Sequence, residues 1–305
     1  MNLKRFFHQL KNNPIDLVRG FLYHFPWLVS DKTYVRIQYK AALGYYPNLK
    51  NPETFTEKLQ WLKLYDHNPL YTKLVDKVTV KDYVRNIIGE EYIIPTLNVW
   101  DSAEDIDFVT LPDKFVLKCN HTGGGSVIIC RDKKSLDTNK TKSTLRKQLK
   151  MNVFLKSREW PYKNVKRKIL CEQYMEDFSG ELSDYKFYCF NGEVKLLLVA
   201  TNRFTNHNFN YFDNDFNPIS ISSVAGQKST QKIEKPKNFE GMKVIAAKLS
   251  KGFPHVRVDL YNCEGKIYFG ELTFYDSSGF DDMNSDEWNK RMGSWIDLSM
   301  VSKNR

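Results

Sequence analysis

Apolar side chains recur at helical spacing between Asp31 and about Gly89. Phe55, Leu59 and Leu62 share one face behind Thr54-Phe55-Thr56-Glu57, whose spacing is that of a capping box. A further helix is predicted over 70–88, with Gly89 as its stop. Beyond Gly89 the pattern changes to short β-rich runs at 92–94, 114–119, 127–130 and 169–175, interrupted by a lysine-rich helix over 135–151. A hairpin follows, 185–190 with 194–200, turning at Asn191-Gly192. Another ends in Asp213-Asn214-Asp215, a helix is predicted over 239–249, and a closing helix over 286–298. No internal repeat, low-complexity tract or Pro/Gly-rich linker interrupts the chain, so the pattern predicts an α+β body with a helical N-terminal region.

Charged residues within the strand-like runs add candidate chemistry. In 255–275, Arg257 and Asp259 lie on one run and Glu271 on the next, joined at Asn262-Cys263-Glu264-Gly265. Alternate residues of a strand share a face, so a hairpin would gather a cation and two carboxylates. Carboxylates that close repel unless a proton or a cation intervenes, and Mg²⁺ with a polyphosphate is a common solution. The plainer alternative is an ion pair on a solvated sheet face.

In Phe115-Val116-Leu117-Lys118 and the residues after it, a strand enters the turn Gly123-Gly124-Gly125-Ser126. Consecutive glycines let backbone amides approach phosphate oxygens, and Lys118 supplies an ammonium. The spacing is neither a Walker A loop nor a Rossmann turn, and an unliganded hairpin tip is the alternative. Glu172-Gln173-Tyr174-Met175 at a strand end suits an adenine, with the carboxylate on ribose or the amino group. Plain core packing explains the same residue types. Asp184-Tyr185-Lys186 offers another cation or a solvated strand face.

The chain has 305 residues, 41% of them hydrophobic, with a net charge of +10 and a pI near 9.1. A basic balance implies an anionic partner: nucleic acid, acidic lipid, nucleotide phosphate or acidic sugar polymer. Nucleic acid is disfavoured, because no RNA-recognition or zinc-finger spacing is present. Five widely spaced cysteines read as reduced core thiols of a cytoplasmic protein, without zinc-site spacing. Residues 1–28 mix Phe6, Phe7, Phe21 and Trp27 with Lys4, Arg5, Lys11 and Arg19, which suits neither a signal peptide nor a membrane span. They read first as a helix on the protein's own core. A peripheral place at the inner face of the membrane is the alternative.

Taken in order, these pieces resemble the ATP-grasp superfamily, and its teichuronopeptide-type (TupA-like) branch most closely, over roughly residues 30–298. Specific phrases carry the resemblance: NPETFTEKLQWLKLYD, VDKVTVKDYV, LPDKFVLKCNHTGG, DYKFYCFNGEVK and VRVDLYNCEGKIYFGELTFY. It implies two α+β lobes enclosing ATP-Mg, with a helical region over 1–90, a small lobe over 91–180 and a large lobe over 181–305. Lys77 would be the first phosphate lysine, with Lys81 as its near alternative, and Lys118 the second. Gly123, Gly124, Gly125 and Ser126 would cover the phosphates. Glu172, Gln173, Tyr174 and Met175 would form the adenine hinge, and Asp184 and Lys186 would make further nucleotide contacts. Arg257 would act on the transferred phosphoryl group with Lys118 and Lys186, and Asp259 and Glu271 would hold magnesium. Thr273 stands where the superfamily commonly has Asn, which makes a water-bridged contact the expectation there. Ser277, Ser278 and Gly279, after Asp276, would line the acceptor pocket.

The activity so implied is carboxylate–amine ligation through an acyl phosphate. Its partners would be ATP, a uronic acid in a glycan or lipid-linked precursor of a surface polysaccharide, and an amino acid or small amine. Two other classes compete: a metal-dependent glycosyltransferase using Asp213-Asn214-Asp215, and a basic scaffold without catalysis.

Overall fold

The structure is a computed structural model that describes residues 14–123, 127–176, 182–201, 208–221 and 233–301. Nine α-helices are described: α1 (Pro14–His24), α2 (Asp31–Leu43), α3 (Phe55–Tyr65), α4 (Leu70–Val75), α5 (Val80–Ile88), α6 (Thr138–Leu149), α7 (Val153–Ser157), α8 (Phe239–Ser250) and α9 (Asp286–Ser294). Ten strands accompany them: β1 (Thr96–Trp100), β2 (Phe115–Cys119), β3 (Ile128–Cys130), β4 (Ile169–Gln173), β5 (Asp184–Phe190), β6 (Glu193–Thr201), β7 (Asn208–Phe212), β8 (Pro218–Ile219), β9 (Val256–Cys263) and β10 (Lys266–Thr273). Among the described residues, no helix is long and apolar enough to cross a membrane.

The chain divides into two compact units. One comprises Met1–His67, Asn152–Lys163 and Tyr275–Arg305; the other comprises Asn68–Met151 and Asn164–Phe274.

In the first unit, α3 starts as its sequence predicts. Thr54 Oγ1 accepts from the Glu57 amide at 3.3 Å while the Glu57 carboxylate accepts from the Thr54 amide at 3.2 Å, closing the capping box. Phe55, Leu59 and Leu62 are buried beneath it. Helix α9 crosses the N-terminus of α3, where Asn289 accepts from the Thr56 amide at 3.1 Å. A Cβ on Gly293 would meet the Glu53 carbonyl at 2.1 Å, so only glycine permits this approach. The buried Lys63 of α3 donates to the Ser278 carbonyl at 2.6 Å and to Gln60 Oε1 at 3.0 Å. Burial pushes its ammonium down to about 8.

The second unit contains both sheets. Four strands pair in the order β1-β4-β2-β3 and six in the order β10-β9-β5-β6-β7-β8, all antiparallel. Alternation along β2 sends Phe115, Leu117 and Cys119 into a core with Ala103, Ile106 and Leu145. Val116 and Lys118 remain on the opposite face. In the larger sheet, Phe187, Val258 and Leu260 are buried, as are Phe239, Met242 and Ala246 of α8. The thiol of Cys189 reaches the Ala246 carbonyl at 3.9 Å. All five cysteines are free, and burial raises Cys119 to about 11 and Cys171 and Cys189 to about 12.

Four sequence expectations need correction. The predicted helix over 70–88 is two helices, α4 and α5. The Asp76 side chain accepts from the Val78 amide at 2.8 Å, and the Lys77 amide donates to the Asn120 carbonyl at 3.1 Å. Those two bonds turn the backbone out of the helix at Asp76, which is extended. No strand forms over 92–94; a short 3-10 turn, Glu90–Tyr92, leads instead to β1. The strand expected to reach residue 175 ends at Gln173. The closing helix ends at Ser294, short of residue 298.

Candidate nucleotide site

The two sheets of the second unit line one cleft. The smaller sheet contributes Val116, Lys118, Ile129 and Glu172; the larger contributes Asp184, Lys186, Asp259 and Glu271.

Glu172 sits 5% exposed between two lysines. Its Oε1 lies 2.6 Å from Lys81 Nζ and its Oε2 lies 2.5 Å from Lys118 Nζ. The register explains the second pair: Glu172 faces Val116 and Lys118 faces Leu170, so the two are diagonal neighbours on one face. Burial would raise the Glu172 carboxyl, but Lys118 and Lys81 outweigh it and hold it below the usual range. Lys81 differs from Lys118 in being bound on every side. Besides Glu172 it donates to the Ile94 carbonyl at 2.8 Å and to Thr96 Oγ1 at 2.7 Å. All three of its donors are thereby used within the protein.

This contrast gives a prediction. Lys81→Met is expected to destabilise the fold by about 3 kcal/mol, because a buried carboxylate loses a partner, while its KM for ATP changes little. Lys118→Met is expected to lower kcat/KM for ATP by about 10²-fold with a smaller loss of stability. Thermal melts and steady-state ADP release separate the two. A Lys81→Met chain with an unchanged melting temperature and weakened ATP use would reverse the assignment.

Across the cleft, the register of the larger sheet puts Lys186, Asp259 and Glu271 side by side on three adjacent strands. The next row holds Tyr188, Arg257 and Thr273. Lys186 Nζ lies 2.6 Å from Asp259 Oδ2 and 3.5 Å from Asp184 Oδ2. Arg257 grips Asp259 in a two-pronged contact, Nε to Oδ1 at 2.7 Å and Nη2 to Oδ2 at 2.8 Å. Arg257 Nη2 also donates to Thr273 Oγ1 at 3.3 Å, and that hydroxyl donates to Glu271 Oε1 at 3.4 Å. Lys77, freed from helical geometry by the break after α4, reaches Glu271 Oε2 at 3.2 Å and the Thr122 carbonyl at 2.9 Å.

The pairing of the two carboxylates does not follow from strand alternation alone. Leu260 pairs with Phe269, so a regular ladder would put Gly270 opposite Asp259 and turn Glu271 to the other face. A bulge between Phe269 and Glu271 adds one residue and brings Glu271 opposite Asp259. The extra residue is Gly270, where a Cβ would lie 3.0 Å from the Asp259 carbonyl and 3.1 Å from the Tyr261 ring.

Electrostatics separates the two groups. Burial pushes the Asp259 carboxyl above the usual range, against the pull of Arg257 and Lys186. Burial acts the same way on Glu271, but Lys77, Lys186 and Arg257 overcome it and hold Glu271 well below that range. Four cations and four carboxylates line the cleft, which is therefore formally neutral. Among the described residues, no group of three or more His, Cys, Asp or Glu side chains forms a metal cage. Two carboxylates without a cage fit Mg²⁺, which is held by one or two carboxylates and keeps the rest of its shell for water and phosphate. Each such ion would make the neutral cleft positive toward a polyphosphate.

The other expected positions divide by where they lie. Gln173, Tyr174 and Met175 line the same cleft, with the Tyr174 hydroxyl accepting from Arg131 Nε at 3.0 Å. Ile94, Val127, Leu182 and Tyr261 complete an apolar wall that the sequence did not single out. Gly123 is exposed, with open space around its Cα, whereas Gly124, Gly125 and Ser126 lie outside the described residues. Ser277, Ser278 and Gly279 belong to the first unit. All three have positive φ, with the Ser278 hydroxyl donating to Glu159 at 2.6 Å. Asp213-Asn214-Asp215 forms a polar turn after β7. Asp213 accepts from the amides of Asp215 and Asn217 and from the Asn217 side chain, so its oxygens serve the turn.

A fold of two antiparallel sheets facing each other across a cleft of lysines and paired carboxylates is that of an ATP-grasp enzyme. The model of the TupA-like ATP-grasp family matches residues 57–297, and the chain belongs to that family. ATP-grasp enzymes are ATP-dependent ligases, and the cofactors are ATP and Mg²⁺. Solved structures similar to it include D-alanine–D-alanine ligase from Bacillus anthracis complexed with ATP, at 16% identity over 83% of this chain and 76% of that one, with a TM-score of 0.46. The ATP-grasp ligase PsnB with a precursor peptide and AMPPNP is another, at 13% identity over 80% of this chain and 65% of that one, with a TM-score of 0.41. No curated protein matches the chain.

Proposed function

We propose that the chain joins the carboxylate of a uronic acid, in a glycan or lipid-linked precursor of a surface polysaccharide, to an amino acid or small amine. The carrying observation is the row Lys186-Asp259-Glu271 facing Lys118 across one cleft, since it supplies both metal ligands and phosphate cations. Membership of the TupA-like family supports the class of acid, and a net charge of +10 suits an acidic sugar polymer.

In this reading Asp259 and Glu271 would hold magnesium, which neutralises phosphate charge when bound. The Thr273 hydroxyl, engaged by Arg257 and Glu271, orients the carboxylate. Lys77, Lys118, Lys186 and Arg257 balance the charge of the γ-phosphoryl group while a substrate carboxylate oxygen attacks phosphorus and ADP leaves. The amine nitrogen then attacks the acyl carbon, inorganic phosphate departs, and the amine gives up its proton to solvent. The same cations stabilise the oxyanion of that second step. Glu172, Gln173, Tyr174 and Met175 with Ile94 and Tyr261 form an adenine slot, and Asp184 serves the ribose side. Ser277, Ser278 and Gly279 hold the acceptor.

A screen of uronic acids with hydroxylamine is the test. A hydroxamate formed in step with ADP supports the reading, and exchange of hydroxylamine for amino acids then identifies the amine. ADP release with some other class of acid would overturn the substrate and keep the ligase. ATP binding without ADP release from any acid and amine would overturn the proposal itself.

A further inference from the structure

Helices α1 and α2 of the first unit present a surface that ligation does not use. On α1 and the turn after it Leu22 is buried, while Phe21 is 53% and Trp27 73% exposed, and Phe25 and Leu28 stay open beside them. The expectation that this helix packs on the protein's own core holds for Leu22 and fails for these four. The Phe21, Phe25 and Trp27 rings form a chain, with successive centroids 4.8 and 5.6 Å apart.

Helix α2 contacts α1 and carries the charge. Tyr34, Val35, Gln38 and Tyr39 are buried, and Lys32, Arg36 and Lys40 recur every fourth residue, so the three fall in one line along the helix. Arg36 and Lys40 lie over the exposed ring of Tyr46, at 5.2 and 5.7 Å. The first fifty residues contain eight lysines and arginines but only two carboxylates, Asp16 and Asp31. Asp31 is occupied by Arg158 at 2.8 Å. Among the described residues, no carboxylate pairs with Lys32, Arg36 or Lys40.

We propose that this surface docks on an anionic lipid bilayer, with the Phe21, Phe25 and Trp27 rings entering the headgroup layer and the α2 line facing lipid phosphates. Exposed aromatic residues beside uncompensated basic ones, with carboxylates scarce, are the pattern of a protein lying in the membrane interface. A second copy of the chain would set one basic line against another, which like-charge repulsion opposes. The inference holds whichever acid is ligated.

Flotation of the full-length chain with neutral phosphatidylcholine vesicles and with vesicles containing phosphatidylglycerol tests it. Binding is expected to be about tenfold stronger on the anionic vesicles and to weaken as salt rises. Phe21→Ser with Trp27→Ser should abolish flotation, and Lys32→Gln with Arg36→Gln should remove the preference for anionic lipid. Both variants should keep the wild-type melting temperature and the wild-type rate of ADP release in solution. Failure of the wild-type chain to float, or flotation indifferent to these substitutions, overturns the proposal. So does a dimer in sedimentation that Trp27→Ser dissolves.

Discussion

Glu271→Gln is expected to lower ATP-dependent turnover by about 10²- to 10³-fold with the fold intact, by analogy with removal of one electrostatic group from an active site. The side chain is 30% exposed and the amide keeps its shape, so packing changes little. What disappears is charge. Lys77 loses the carboxylate at 3.2 Å but keeps the Thr122 carbonyl at 2.9 Å, and Asp259 loses its partner across the ladder. A site with one carboxylate needs more magnesium, so the Mg²⁺ concentration for half-maximal ADP release should rise together with the fall in kcat. Wild-type turnover at ordinary magnesium would remove Glu271 from the metal site.

Lys186→Met is expected to have the largest effect on stability, a loss of about 3–5 kcal/mol at neutral pH, because it leaves a buried carboxylate without one of its cations. Asp259 would retain the Arg257 contacts at 2.7 and 2.8 Å and lose the ammonium at 2.6 Å. The pH dependence has a defined sign. Burial already holds Asp259 above its ordinary range, and removal of Lys186 raises it further. A carboxyl whose folded value exceeds its unfolded one takes up a proton on folding, so the variant's deficit should shrink as the pH falls through that raised value. Denaturant unfolding at neutral pH and in mild acid measures it. A deficit that grows in acid would mean that Lys186 contributes packing and not charge.

The parts of this fold legible in the sequence were those with a local cause. Thr54 and Glu57 announce α3, Asn191-Gly192 announces the β5–β6 turn, and Lys118, Glu172, Lys186 and Asp259 each interrupt an apolar run that a core strand would continue. The features that escaped depend on distant partners. Apolar residues continue through 75–80, so periodicity runs on, and the break there rests on the Asp76 side chain and on the Asn120 carbonyl beyond β2. Strand β1 is an edge with Thr96, Leu97 and Asn98 exposed, so it lacks alternation and is defined by its backbone bonds to β4. Arg131 and the apolar wall of Ile94, Leu182 and Tyr261 carry no motif. They join the site only because the chain folds them to the same cleft.

Gly270 gives the last hairpin something like a reading frame. Were Gly270 to pair regularly instead of bulging, every charged and apolar residue of β10 would keep its order, yet the side chains beyond it would exchange faces, with Glu271 turned toward the core and Leu272 set among the lysines. The pairing of the two carboxylates therefore depends on which residue of this strand is left out of the ladder as well as on residue identity. A relative that keeps both carboxylates but pairs the residue before the second one in the ladder would retain the letters of the proposed metal site and lose its sense.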